Sequence, residues 1–173
     1  HQVFKNRMYG DLMGLLVGDV FQGFSVAWWK NKHNTHHAVP NLHESCSDAH
    51  DGDPDIDTTP ILAWSAKMAE RAVESKMGRF MIKYQAILYF PVLLFARLAW
   101  LHQSWVFVFG GAGQWSTKGA QLDMKRMQYQ TLEKIGLVLY YVWNLALLWQ
   151  MPLLHSIAFV ILSQTACGFM LAL

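Results

Sequence analysis

The chain has 173 residues, 53% of them hydrophobic and only 15% charged, with a formal net charge of +2. That length suits one domain, and so few charges favour a membrane protein over a soluble globule. The near-neutral balance gives no electrostatic case for nucleic acid. Two cysteines, Cys46 in a polar loop and Cys167 in an apolar run, fall in different surroundings. That argues against a disulfide and for a reducing compartment.

His1 to Arg7 is short and basic. Tyr9 to Trp29 is apolar but interrupted by Asp11, Asp19 and Gln22. A charge near the bilayer centre costs at least about 2.5 kcal/mol, so this stretch is expected to lie at the interface or under a catalytic layer. Gly10, Gly14 and Gly18 line one face of it, the spacing that lets helices approach closely in membranes.

The segment Trp28 to Asn41 reads WWKNKHNTHHAVPN. Trp28 and Trp29 precede a helix that carries His33, His36 and His37, and Pro40 ends it. At about 100° per residue, His36 falls about 60° to one side of His33 and His37 about 40° to the other. The three imidazoles fan over one arc, which one helix could present to two metal ions. A tetrahedral zinc site would need a closed ligand set, some of it from distant sequence. Imidazole with open positions suits non-haem iron. The tryptophans, which favour the membrane–water boundary, would put that arc just outside the hydrocarbon.

Asn41 to Thr59 is a polar loop with two further histidines, His43 and His50, expected to be solvated or hydrogen-bonded. DGDPDID, at Asp51 to Asp57, fails the calcium-loop template and reads as Asx turns capping the next element. Thr59-Pro60 signals a helix running through Glu74. Phe80 to Phe109 is long and apolar, but Lys83, Arg97 and His102 lie inside it and Pro91 breaks it. Gly110 to Lys134 is a polar linker whose GGAG lacks the ending of a phosphate loop. Ile135–Leu154 and Ser156–Leu173 are clean apolar runs, each long enough to cross a bilayer, with His155 and Ser156 forming the turn between them. The fold expected is all-α, a membrane helical bundle with interfacial helices and two transmembrane helices.

No Ser-His-Asp pattern or nucleophile elbow stands out. Three imidazoles among greasy helices suit the oxidation of an unactivated C–H bond, which needs a redox metal with open coordination positions.

WWKNKHNTHHAVPN, followed by DGDPDIDTTPILAWS at Asp51 to Ser65, resembles the second histidine box region of front-end fatty acid desaturases, most of all the fungal and nematode delta-6 type. HQVFKNR resembles the stretch that follows that family's first box, and the similarity runs on to the final QTACGFMLAL. The resemblance implies a membrane diiron enzyme of the endoplasmic reticulum, multi-pass, with its boxes on the cytosolic face. It implies O2-dependent insertion of a cis double bond into linoleoyl or alpha-linolenoyl chains, held as acyl lipid or acyl-CoA. It also implies electrons from cytochrome b5 and NADH-cytochrome b5 reductase. His33, His36 and His37 match the second-box iron ligands; His1 stands one place beyond the first box's last histidine. Delta-5, delta-8 and sphingolipid desaturases, and membrane diiron hydroxylases, are the alternatives. With the boxes on one side, two crossings return the chain to the cytosol, so Phe80–Phe109 is expected to be interfacial or re-entrant. The chain begins and ends inside family text, so residues 1–173 are expected to be an internal fragment, inactive alone, lacking the first and third boxes and the cytochrome b5 domain.

Overall fold

A computed structural model describes residues 3–42, 53–56, 58, 61–110 and 128–172. Every regular element among them is helical. Two compact units emerge: His1–Asn31 with Leu98–Ser116 and Gln121–Ser163, and Lys32–Arg97 with Thr117–Ala120 and Gln164–Leu173.

In the first unit, α1 (Arg7–Gly14) starts at Asn6, whose side chain accepts the Met8 N–H, and runs on into a π-helical stretch, Leu15–Gln22. The expected single helix from Tyr9 to Trp29 does not form. Gly23 takes a left-handed φ of 72°, a conformation that costs other residues about 1–2 kcal/mol. The chain there turns by 109° into α2 (Val26–Ala38). Trp28 and Trp29 therefore sit inside the histidine helix, not ahead of it. Gly14 and Gly18 face Val26 across this bend, and a Cβ on Gly18 would stand 2.6 Å from the Val26 side chain. The glycine stripe thus serves close approach within one bent pair.

α7 (Gln130–Trp149) packs along the π-helical stretch. Gly136 lies on Asp19, the Trp143 ring N–H donates to the Val20 carbonyl at 2.7 Å, and Leu137 is buried with Val108 of α6 (Ala96–Phe109). A Cβ on Gly23 would meet the Tyr140 ring at 2.4 Å. Gly23→Ala adds that clash to the left-handed backbone cost, so a clear drop in melting temperature in detergent is expected; an unchanged melt would refute the close approach.

In the second unit, the helix expected from Thr59 to Glu74 is shorter and later. Ile61–Trp64 are not helical, and α3 (Ala66–Ala72) begins where the Ser65 side chain accepts the Met68 N–H. Thr59 and Pro60 lie outside the described residues. Gln85 fixes the intervening loop by accepting the Ala63 N–H at 2.8 Å and donating to the Ala63 carbonyl at 2.9 Å. Ser75 caps α4 (Lys76–Lys83). The apolar run beyond it is not one straight helix. α5 (Gln85–Leu93) contains Pro91 and tightens into i→i−3 bonds at Leu94 and Phe95. A proline removes one helical N–H and crowds the turn before it, and the helix fails three residues on.

α7 and α8 (Leu153–Ala172) are each 20 residues long, with mean hydropathy 1.2 and 1.6, enough to cross a membrane. α7 begins and ends earlier than its apolar run suggests, and α8 begins earlier than its own. The turn between them is Gln150–Pro152, not His155-Ser156. Pro152 cannot donate, so it suits a helix start, and buried Ser156 donates to the Leu148 carbonyl at 2.9 Å. Many apolar side chains of α7 and α8 are exposed, among them Leu145, Trp149, Leu153, Leu162 and Met170.

Candidate metal centre

The helix bearing the three histidines starts in a dry, acidic setting. Ser25, Asp19 and Glu133 are all buried. The Ser25 hydroxyl oxygen accepts the Trp28 N–H at 3.0 Å, Asp19 Oδ2 accepts the Val26 N–H at 3.3 Å, and Glu133 Oε1 accepts the Ala27 N–H at 3.0 Å. The N–H groups that open a helix have no partner within it. Here a serine and two carboxyls supply them, on the end where the helix dipole favours negative charge. Trp28 and Trp29 pack with Phe24 and Trp100, ring centroids 5.1 to 6.4 Å apart. Lys30 pairs with Asp11.

Two turns on, His33 and His37 meet edge to face at i, i+4. Their ring centroids are 4.5 Å apart and their Nε2 atoms 3.0 Å apart. With a metal–nitrogen bond of about 2.1 Å, two imidazoles separated like this subtend about 90° at one ion. That spacing fits a shared metal. His36 stands apart, its ring 6.3 Å from His33 and 5.5 Å from His37. The helix stops at Ala38 because Pro40 cannot continue it, and Asn41, at φ 62°, reverses the chain.

The chain then returns to the helix. Asp53, 1% exposed, donates its N–H to the Leu42 carbonyl at 2.8 Å. Its carboxylate accepts the Asn41 N–H at 2.8 Å and the Asp55 N–H at 2.9 Å. Both its oxygens also lie 3.0 Å from His36 Nδ1. Asp55 lies 3.6 Å from the same nitrogen but is paired with Lys32 at 3.2 Å. The Asp53 hydrogen bond raises the His36 pKa above its usual value, against the opposing effect of burial. Burial alone would push the Asp53 carboxyl up. The N–H groups of Asn41 and Asp55, then His36, outweigh it and leave the carboxyl below its ordinary value.

The structure thus puts all three histidines read from the sequence on one helix, as a convergent pair and a third held by a carboxylate. His1, His43 and His50 lie outside the described residues. His155 is exposed in the first turn of α8. Sequence reading missed Asp53. It recognised the Asx turn, which is present in the Asp55 N–H bond to Asp53 Oδ1, but gave it a helix to cap. The turn instead supports His36. Only the Asp-x-Asp spacing after the histidines hinted at a carboxylate within reach. Asp19 and Glu133, 114 residues apart and brought together by folding, had no local signal.

Comparison with known proteins adds a family. The family model described as fatty acid desaturase matches residues 1–173. A Delta(8)-fatty-acid desaturase of Euglena gracilis is 36% identical, over 100% of this chain and 38% of its own length. A Delta(5) fatty acid desaturase and a Delta(6)-fatty-acid desaturase of Caenorhabditis elegans are 34% and 33% identical, each over 99% of this chain and 36% of their own. The chain therefore spans less than two fifths of the length of these relatives. No solved structure matches it.

Proposed function

This chain belongs to the fatty acid desaturase family, and from that premise we propose that it is the second-box segment of a longer front-end acyl desaturase. The reaction removes two hydrogens from adjacent acyl carbons as O2 takes up two further electrons and two protons to leave two waters. The observation that carries the reading is the Nε2 pair of His33 and His37, 3.0 Å apart, beside a third imidazole turned onto a carboxylate.

His33 and His37 would hold one iron and His36 would serve a second, with further ligands from residues other than these three. Bound iron supplies the one-electron chemistry with O2 that side chains lack. The histidine helix keeps the imidazoles in place, through the acidic cap at its start and Asp53 near its end. The aromatic cluster of Phe24, Trp28, Trp29 and Trp100 excludes water along the helix that leads to them. The electrons would come from cytochrome b5, reduced by NADH-cytochrome b5 reductase. The setting would be the endoplasmic reticulum membrane, with the histidines on its cytosolic side.

The likeness of the histidine segment to the delta-6 type supports that position for the new double bond, on linoleoyl or alpha-linolenoyl chains. A delta-8 position is the second reading, favoured by the 36% identity to the Euglena gracilis protein. The test is the full-length protein in yeast fed linoleate, alpha-linolenate and their C20 elongation products, with mass spectrometry locating the new double bond. A bond at C6 of the C18 acids is expected. A bond at C5 or C8 of the C20 acids would move the assignment, and a gained oxygen with no lost hydrogens would replace desaturation by hydroxylation.

A further inference from the structure

We propose that Asp53 is a positioning residue that fixes His36 as an Nε2 ligand, set apart from the His33–His37 pair. This rests on the metal reading above.

A neutral imidazole has one donor and one acceptor nitrogen, and the neighbour of one decides the role of the other. His36 Nδ1 faces both Asp53 oxygens at 3.0 Å. A carboxylate only accepts, so Nδ1 carries the proton and Nε2 is left as a bare donor to metal. Asp53 is itself held: it is buried, and two backbone N–H groups bond its carboxylate. Its lone pairs are therefore directed to Asn41, Asp55 and His36, which makes it a poor ligand in its own right. Lys32 neutralises Asp55 at 3.2 Å, so the second carboxylate, 3.6 Å from Nδ1, does not compete for the ring. Rotation of His36 toward the partners of His33 and His37 would break the Asp53 bond. The carboxylate thereby keeps the three imidazoles divided two and one.

The alternative is a cation held by His36, Asp53 and Asp55 together, whose ligand atoms lie close enough to share one. Asp53→Asn separates the two. Asn keeps an oxygen that can accept the His36 proton but loses the charge a hard cation needs. The test takes the full-length protein, purified with iron, and measures iron per chain after dialysis against a chelator, alongside thermal unfolding of the iron-free form. Asp53→Ala is expected to weaken iron binding about 10- to 100-fold, while Asp53→Asn retains most of the iron. Wild-type retention in Asp53→Ala would overturn the proposal. Equal loss in both variants would also overturn it and make Asp53 a ligand. If Asp53→Ala does not fold, Asp53→Asn decides alone: retained iron supports positioning, and lost iron refutes it. His36→Ala is the control. Unchanged iron there would sink the metal reading itself, whereas iron lost from His36→Ala but kept in Asp53→Ala would sink only the role of Asp53.

Discussion

In the full-length protein expressed in yeast, His33→Ala, His36→Ala and His37→Ala are each expected to lower desaturated product by at least about 100-fold. Loss of an outer hydrogen-bond partner alone costs 10- to 100-fold, and a ligand matters more. The pair at 3.0 Å is not replaced from the same helix, because the third imidazole there, His36, is held by Asp53. Asn34 and Thr35, the other two residues between them, offer no imidazole nitrogen. His155→Ala is the matched control. That histidine is exposed in the first turn of α8, and its loss is expected to leave product unchanged. Full conversion by any of the three variants would remove that residue from the ligand set. A dead His155→Ala would mean that the assay reads expression, not chemistry.

Glu133→Ala is expected to destabilise the protein by about 1–3 kcal/mol, the cost of leaving a buried N–H without its acceptor. The Ala27 N–H would lose its 3.0 Å bond at the start of the helix that carries the histidines. Asp19→Asn is expected to do little, because Asn still offers an oxygen to the Val26 N–H at the position now 3.3 Å away. Asp19 is also buried beside Glu133, which disfavours a charge on its carboxyl, so the neutral amide is a close substitute. Thermal unfolding in detergent checks both. A wild-type melting temperature in Glu133→Ala would show that the cap is idle. A large drop in Asp19→Asn would show that an amide oxygen cannot stand in for the carboxyl at the start of the helix.

Local chemistry was legible where the signal was short-range. The His-x-x-His-His spacing, the stop at Pro40, the two long apolar helices and the broken run around Pro91 each follow from residues within a turn or two of one another. Errors gathered at boundaries. Thr59-Pro60 looked like a helix start, yet Ser65 caps α3 instead, since a serine oxygen on the Met68 N–H competes with any earlier start. His155 and Ser156 looked like a turn because they are polar. The turn fell at Gln150–Pro152 because proline lacks the N–H a helix interior needs.

Residues close to one another in the chain are enough to specify a helical membrane protein of the desaturase family with three imidazoles on one helix. Helical periodicity and hydropathy are properties of neighbouring residues, and they survive without any knowledge of the fold. How those imidazoles divide, and what holds them, depends on contacts between segments far apart in the chain. Asp53 reaches His36 from 17 residues away, and Glu133 reaches Ala27 from 106 residues away. Both are acids in a dry interior, where an ordinary reading puts them at the surface. Folding brings each to a hydrogen-bond donor that makes its burial tolerable.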